Sequence, residues 1–313
     1  MNKQKKIAIT TGDANGIGAE ITIKALNKLD LPIENVVLIS NSKILNFYGK
    51  LKKKYPVIEI DFDMKNLLAG KPTAQSGDFA FRALKKACQM VKNKQIDAIV
   101  TAPVSKETMH LAGHKFSGQT EVLQKFLAQK GQSAQMLFVA EDFRVLLLTR
   151  HLPLREVSID KKDFIKKIKI LDEFFKSKLK IRAPKFGLCA FNPHAGEGGI
   201  LGREEIEILL PAVKALRKQG VDITEPLPAD TLFVKAAKAY LNRKKNPYDC
   251  YIANYHDQGL IPIKALAFEK TVNMTIGLDV IRTSPSHGTA FDIAGKNLAD
   301  ESSMTEAIKQ ALI

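Results

Sequence analysis

The chain has 313 residues, of which 45% are hydrophobic and 26% are charged, ordinary values for a globular protein with room for two domains. Its formal net charge is +15, and no stretch approaches the roughly 18 uninterrupted apolar residues that a membrane span needs. The basic start MNKQKKIAIT leads at once into a polar glycine loop, so we interpret it as a first strand and expect a cytoplasmic protein without a membrane partner.

Short β-branched runs alternate along the chain with longer amphipathic segments, which predicts α/β architecture with much parallel sheet. The predicted strands are residues 6–12, 36–40, 97–102, 136–140, 144–149, 186–191, 248–255 and 271–277. Only three residues separate the strands at 136–140 and 144–149, so we expect an antiparallel hairpin and a mixed sheet. Apolar residues at three- and four-residue spacing predict helices over 161–178 and 203–219.

The positive charge admits two interpretations. Lysines are dispersed over predicted helix faces, as in residues 50–54 and 161–169, which indicates a basic surface that attracts an anionic small substrate. A nucleic-acid-binding protein is the alternative from another class, but neither a zinc module nor an aromatic-interleaved basic strand accompanies the lysines. We therefore expect no nucleic-acid partner.

Two glycine-rich segments stand between predicted strands and helices. TGDANGIGAE, residues 11–20, has neither G-x-G-x-x-G spacing nor a Gly-Lys-Ser/Thr triplet, which favours a tight structural turn over a nucleotide site. NPHAGEGGILG, residues 192–202, holds four glycines ahead of a predicted helix, so its backbone can pass close to a bound group.

Four of the six histidines stand in loop-like contexts just beyond apolar strands, namely His151, His194, His256 and His287. Ligands of open α/β sheets bind outside the carboxyl ends of the strands, and imidazole is the commonest protein ligand of metals. A single loop histidine is more often a surface residue, but three presented in this way indicate a plausible metal site. His110 and His114 follow no strand, and we interpret them as structural or surface residues.

A resemblance to a known family rests on four blocks: TRHLPLREV, FNPHAGEGG, NYHDQGLIPIK and SPSHGTAFDIAGK. Together they resemble the 4-hydroxythreonine-4-phosphate dehydrogenases of vitamin B6 biosynthesis, whose fold is that of isocitrate and isopropylmalate dehydrogenases. The resemblance implies two interleaved α/β domains with mixed, largely parallel sheets, flanking helices and a cleft between the domains. We expect a cofactor-side domain of residues 1–118 with 265–313, and a substrate, metal and dimerisation domain of residues 119–264.

The family's site residues carry over by motif. The resemblance implies that His151, His194 and His256 bind a divalent zinc, magnesium or cobalt ion in a homodimer whose active site is shared across the interface. It implies substrate contacts from Gln119, Thr120, Lys264, Asn273 and Arg282. Arginine suits a phosphate or carboxylate because its guanidinium offers two parallel hydrogen bonds. By itself, Thr120 would be interpreted as the N-cap of the following helix.

Cofactor and catalytic roles follow in the same way. NAD, with NADP as the alternative, is expected at the loop 285–297, through His287, Gly288, Thr289 and Asp292. We assign catalytic roles to Lys264 and to Asp257, which could orient the neighbouring histidine or move a proton, and which could equally be a structural cap of the next turn.

The activity implied is NAD-dependent, metal-assisted oxidation of 4-phosphohydroxy-L-threonine with decarboxylation to 3-amino-2-oxopropyl phosphate, a step of pyridoxal 5'-phosphate biosynthesis. This sequence has Gln119 where the family usually has histidine. Glutamine can donate a hydrogen bond but carries no charge, so the contact to the substrate's anionic group differs. A related dehydrogenase of threonate or erythronate phosphate is therefore the alternative.

Overall fold

The computed structural model describes residues 5–313, which form two compact units. The first unit runs to Ala134 and resumes over Val272–Ile313, and the second comprises Gln135–Thr271. The chain thus leaves the first unit and returns to it, which is the interleaved arrangement that the sequence predicts. The breaks fall later than the expected ones after residues 118 and 264, so Gln119 and Thr120 belong to the first unit. The assignment of cofactor and metal roles to separate domains stays a prediction.

The strands of residues 5–313, numbered along the chain, are β1 (Ile7–Thr10), β2 (Val36–Ser40), β3 (Val57–Glu59), β4 (Ala98–Thr101), β5 (Gln135–Ala140), β6 (Phe143–Leu147), β7 (Lys185–Leu188), β8 (Asp222–Ile223), β9 (Cys250–Ala253), β10 (Val272–Ile276) and β11 (Ile281–Pro285). The α-helices are α1 (Gly18–Leu29), α2 (Ser42–Tyr48), α3 (Ala74–Lys92), α4 (Lys106–Leu111), α5 (Gln119–Leu127), α6 (Lys161–Ser177), α7 (Leu210–Arg217), α8 (Ala229–Leu241), α9 (His256–Ala267) and α10 (Ser302–Ala311). No helix of this described range is long and apolar enough to cross a membrane.

In the first unit the strand order is β3-β2-β1-β4-β11-β10. Neighbouring strands from β3 to β11 run parallel, and β10 is antiparallel to β11. The strands β1, β2 and β4 are buried along their whole length, as expected of parallel strands covered by helices. One core cluster joins Ile39 and Ile99 of the sheet to Phe79 and Leu84 of α3.

In the second unit the order is β5-β6-β9-β7-β8. Here β6, β9, β7 and β8 are parallel, and β5 is antiparallel to β6. The core cluster includes Phe143 and Tyr251 from the sheet, Phe233 from α8 and Ile263 from α9. The carboxyl ends of β6, β9 and β7 therefore lie side by side at one edge, which is where the candidate site is found.

The structure confirms every strand that the sequence predicts, and the antiparallel β5–β6 pair confirms the hairpin. The predicted helix at 161–178 is α6, which begins after the N-cap Asp160. The predicted helix at 203–219 is a π turn, Glu205–Leu209, continued by α7. Pro211 follows that turn, and its missing N–H cannot sustain the regular pattern of hydrogen bonds. Strands β3, β8 and β11 were not predicted.

Candidate functional site

Three of the loop histidines follow three neighbouring parallel strands of the second unit. His151 follows β6, His256 follows β9 at the start of α9, and His194 follows β7. The register pairs Leu146 of β6 and Leu188 of β7 with Ile252 of β9, so β9 lies between the other two strands. The three loops thus leave the same edge of the sheet, where α/β proteins bind their ligands.

His151 and His256 form a close pair. Their ring centroids are 5.5 Å apart and their planes are tilted by 49°. Gly259 lets α9 approach β6, because a methyl group there would lie 2.6 Å from Leu147 Cδ2 and 2.8 Å from Val145 Cγ1. An imidazole nitrogen binds zinc at about 2.1 Å, so two imidazoles on one tetrahedral ion have centroids roughly 5 Å apart. The observed pair fits two ligands of one divalent ion.

Asp257 orients one ring of this pair. Its Oδ1 lies 2.7 Å from His256 Nδ1. That contact leaves Nε2 of His256 as the nitrogen available to a metal, an arrangement common among metal-binding histidines. A small cavity of about 240 Å³ adjoins the pair, and its lining includes Leu152, Leu154 and Tyr255.

His194 lies in a backbone turn of unusual hand. Five successive residues, His194–Gly198, have φ of 51°, 55°, 78°, 44° and 68°, and Gly199 continues the run with φ of 98°. Left-handed helical conformation costs about 1–2 kcal/mol for each residue that has a Cβ, so consecutive examples are rare. Three residues of this run have a Cβ atom and therefore bear that cost: His194, Ala195 and Glu197. Such strain persists only where surrounding contacts impose it.

The structure does not bring His194 to the other two histidines within one chain. Across residues 5–313, no three His, Cys, Asp or Glu side chains form a group that could hold a metal ion. One chain therefore supplies His151 and His256 together and presents His194 separately. The three-histidine site stays a prediction.

Asn254 joins the strand ends that carry these loops, and the sequence analysis did not single it out. It is fully buried, and its Nδ2 donates to the carbonyls of Cys189 and Ala190, which follow β7. Its own carbonyl accepts from N and Oγ1 of Thr149, beyond β6. Gln258 repeats the link, with Nε2 donating to Ala190 O at 2.8 Å. Both amides bracket His256 within the block NYHDQG, which was the available signal.

Lys264 lies two turns along α9 from His256. Partial burial lowers the pKa of its ammonium group. Its Nζ lies 5.7 Å from the centroid of the Phe268 ring. A lysine in such surroundings loses its proton more readily than one at the surface, which suits a role in proton transfer.

The first unit contains a buried cation, the guanidinium of Arg282. Arg282, on β11, is 3% exposed, and its Nε and Nη2 donate to Thr101 Oγ1 at 2.9 and 2.6 Å. Its Nη1 lies 3.5 Å from Thr275 Oγ1. Burial lowers the pKa of its guanidinium to about 10, which leaves it charged at neutral pH, while the charge of Glu121 acts in the opposite direction. In the part of the chain described, no Asp or Glu forms an ion pair with it, so the guanidinium suits a bound phosphate or carboxylate.

Two amide oxygens lie near the same strand ends. Gln119 Nε2 donates to Ala102 O at 3.2 Å, next to the Thr101 that holds Arg282. Its Oε1 is buried, and none of the described residues offers it a hydrogen bond; Asn273 Oδ1 is in the same state. In the β10–β11 register Asn273 faces Ser284 two residues from the Thr275–Arg282 pair, so its side chain shares their face.

Thr120 is 4% exposed and is the second residue of α5. The expectation that it caps this helix is wrong, because the N-cap position is occupied by Gly118. Thr120 therefore lies inside the first turn of the helix, next to Gln119.

The expected cofactor loop lies against the first glycine-rich segment. Ile17 N donates to Thr289 O at 3.0 Å. His287 Nδ1 lies 3.1 Å from Gly288 O, and Asp292 lies in the short 3-10 turn Phe291–Ile293. Gly288 and Asp292 are exposed, so backbone and carboxylate are open to a ligand.

The remaining histidines behave as predicted. His110 Nε2 lies 2.8 Å from Phe116 O. His114 Nε2 is 2.9 Å from Asp78 Oδ1, and its ring stacks on Phe81 at 3.8 Å between centroids. Both are structural.

Known proteins resemble this chain over almost its full length. A family model described as "Pyridoxal phosphate biosynthetic protein PdxA" matches residues 5–311. The chain is 39% identical to 4-hydroxythreonine-4-phosphate dehydrogenase of Sulfurihydrogenibium sp. over 98% of each chain. It is also 39% identical to D-threonate 4-phosphate dehydrogenase of Cupriavidus necator, covering 97% of this chain and 95% of that relative.

Solved structures also resemble this chain in fold. The crystal structure of 4-hydroxythreonine-4-phosphate dehydrogenase from Klebsiella pneumoniae superposes with a TM-score of 0.86 at 35% identity, covering 100% of this chain and 98% of that one. Isocitrate dehydrogenase from Methylococcus capsulatus superposes with a TM-score of 0.51 at 14% identity, covering 98% of this chain and 85% of that one. The second likeness concerns the fold alone, and it confirms the predicted fold class.

Proposed function

The chain belongs to the PdxA family of pyridoxal phosphate biosynthetic proteins, and we propose that it oxidises 4-phosphohydroxy-L-threonine with NAD and decarboxylates the product to 3-amino-2-oxopropyl phosphate. The observation that carries this proposal is the imidazole pair, His151 and His256, with centroids 5.5 Å apart beyond neighbouring parallel strands. Full-length similarity to relatives named for this activity supports it.

A divalent ion held by His151 and His256 would act as a Lewis acid toward the substrate hydroxyl. Zinc or cobalt fits imidazole nitrogens better than magnesium, which prefers oxygen ligands. Asp257 accepts the Nδ1–H of His256 and thereby keeps Nε2 directed to the ion. Since one chain groups only two of the histidines, we assign the third ligand to His194 of the partner subunit in a homodimer.

The surface around these loops supports a second copy as the partner. Leu154, beside the cavity at the imidazole pair, is 68% exposed, and Ile200, just beyond the left-handed turn, is 81% exposed. Large apolar side chains exposed around a site are typical of interfaces between proteins.

The anionic end of the substrate is assigned to Arg282. Thr101 holds its Nε and Nη2, and Thr275 lies beside Nη1, so the guanidinium is oriented before substrate binds. A preformed donor with fixed direction loses little freedom when it engages a phosphate or carboxylate. We assign Thr120 and Asn273 to the same substrate.

Proton transfer and cofactor binding complete the assignment. Burial lowers the pKa of Lys264, which makes it a candidate to accept or return a proton during oxidation and decarboxylation. A nicotinamide cofactor supplies the hydride acceptor. We assign its adenosine end to the loop that carries His287, Gly288, Thr289 and Asp292; NADP is the alternative.

A threonate or erythronate phosphate is the second candidate substrate, supported by the relative from Cupriavidus necator that is named D-threonate 4-phosphate dehydrogenase. The carbonyl of Ala102 can only accept, so Gln119 must direct Nε2 toward it and leave Oε1 as an acceptor. An acceptor binds a substrate ammonium through a charge-assisted bond and a hydroxyl through a weaker one. This difference favours the amino substrate.

The test is an NADH-formation assay of the purified, metal-loaded protein with both phosphates, repeated with Gln119→Met. We expect higher kcat/KM for 4-phosphohydroxy-L-threonine, and a larger loss with that substrate in the variant, since Met keeps the volume but removes the acceptor. A higher kcat/KM for the threonate phosphate would make that compound the preferred substrate in place of 4-phosphohydroxy-L-threonine. Absence of both NADH formation with NAD and NADPH formation with NADP, for every substrate, would refute the dehydrogenase.

A further inference from the structure

The left-handed turn at residues 194–199 is fastened from one side by a carboxylate. Glu205 Oε1 accepts from the backbone N of Asn192 at 2.7 Å, and its Oε2 accepts from Asn192 Nδ2 at 2.9 Å. Glu204 Oε2 accepts from the same Nδ2 at 2.6 Å. Both glutamates lie at the start of the π turn, so the base of the His194 turn is tied to the helix that follows it.

Small residues close this arrangement. A methyl group at Gly202 would lie 2.3 Å from Asn192 Nδ2, and one at Gly196 would lie 2.8 Å from Glu205 Oε2. The turn therefore packs directly on the Asn192–Glu205 pair, with no space for another side chain. By contrast, nothing lies within 4 Å of a methyl group placed at Gly198, at the outer part of the turn.

The burial of Glu205 is unfavourable for the stability of the fold. It is 3% exposed, and within residues 5–313 no Lys, Arg or His forms an ion pair with it. Of the described residues, only Asn192 donates hydrogen bonds to this carboxylate, through its backbone N–H and its side-chain amide. A buried charge without an opposite charge destabilises a fold unless its hydrogen bonds serve a further purpose.

We propose that Asn192 and Glu205 are positioning residues, which impose the left-handed turn and thereby fix the direction of the His194 imidazole toward the divalent ion. The inference rests on the proposed function, because it takes His194 as a metal ligand. Outer contacts of this kind hold ligand orientation, and their loss typically weakens metal binding by about 10–100-fold.

The test measures Co²⁺ affinity by titration of the metal-free, full-length protein, followed by visible absorption. Glu205→Gln keeps the side-chain shape but removes the charge and one acceptor, and Asn192→Ala removes both side-chain hydrogen bonds. Each is expected to weaken Co²⁺ binding by about tenfold or more. Glu207→Gln is the matched control, because Glu207 pairs with Arg203 at the surface of the same segment, and it should leave the affinity unchanged.

The same substitutions in a His194→Ala background separate positioning from general stability. If Asn192 and Glu205 act through His194, they cost no further Co²⁺ affinity once that ligand is gone. Equal losses in both backgrounds, or unchanged affinity in Glu205→Gln and Asn192→Ala, would overturn the proposal. If His194→Ala itself binds Co²⁺ as tightly as wild type, the metal role of His194 fails and the positioning role fails with it. Thermal unfolding identifies a variant that does not fold, and Asn192→Ala then replaces Glu205→Gln.

Discussion

Combining two inactive variants in one dimer tests whether the metal site is shared. In a heterodimer of His194→Ala and His256→Ala subunits, one site keeps His151 and His256 from the first subunit and His194 from the second, while the other site loses two ligands. One intact site of two predicts about half the wild-type kcat per dimer, whereas each homodimer is close to background. Co-expression with two affinity tags, tandem purification and an NADH assay would measure this.

The structure supplies a matched control for this experiment. His151 and His256 pair within one chain, so a heterodimer of His151→Ala and His256→Ala has one damaged ligand pair in each site. It should stay near background. Recovery in this control, or none in the first heterodimer despite intact dimerisation, would refute ligand sharing between subunits.

Three further predictions concern single residues. Arg282→Ala should raise the KM of the phosphorylated substrate by about tenfold or more, because it removes a charge-assisted contact. The KM of NAD should stay nearly unchanged. Equal effects on both KM values in steady-state kinetics would show that Arg282 does not bind the anionic group of the substrate. Burial raises the pKa of Asp13 above 3.8, so its ionised form is disfavoured in the folded state, and Asp13→Asn should raise the Tm at neutral pH. That gain should disappear as the pH falls through the raised pKa to below 3.8, where the carboxyl is protonated in both states; a pH-independent gain in calorimetry would contradict the cause. Gly259→Ala should lower the free energy of unfolding by about 1–3 kcal/mol in denaturant and weaken Co²⁺ binding, because the added methyl group would push α9 away from β6. An unchanged free energy of unfolding and an unchanged Co²⁺ affinity would contradict the close approach of α9 to β6.

How much the sequence could predict depends on whether the signal is local. Continuous apolar runs predicted β1, β2, β4 and the strands of the second unit that precede the histidine loops. Such runs are informative because a buried parallel strand needs no polar face. β11 was missed because its buried positions include Arg282, Thr283 and Ser284, which read as a polar loop. Thr283 donates to Ala307 O of α10, and Thr101 holds the Arg282 guanidinium that we assign to the anionic group of the substrate.

The site was predictable in its residue types and not in its grouping. Position after a strand marks His151, His194 and His256, but which of them meet depends on strand order and on the course of each loop. β6 and β7 both neighbour β9, yet only the loop after β6 brings its histidine to His256. His194 lies instead in the left-handed turn, whose base is tied by a contact across thirteen residues, between Asn192 and Glu205. No periodicity in the sequence encodes that contact.

Two buried charges, Arg282 in the first unit and Glu205 in the second, have the same physical character. Each is 3% exposed, and in the described chain each is held by neutral hydrogen-bonding groups alone. Well-packed apolar residues would often stabilise such positions more than charges do, so stability does not account for them. We propose that Arg282 keeps donors in place for an anionic group of the substrate, and that Glu205 keeps in place the strained turn that contains the proposed metal ligand His194. In both cases ligand binding would compensate the folding free energy that the buried charge costs. Substrate should therefore raise the Tm of the wild-type protein more than that of Arg282→Ala, and metal should raise the Tm of the wild-type protein more than that of Glu205→Gln.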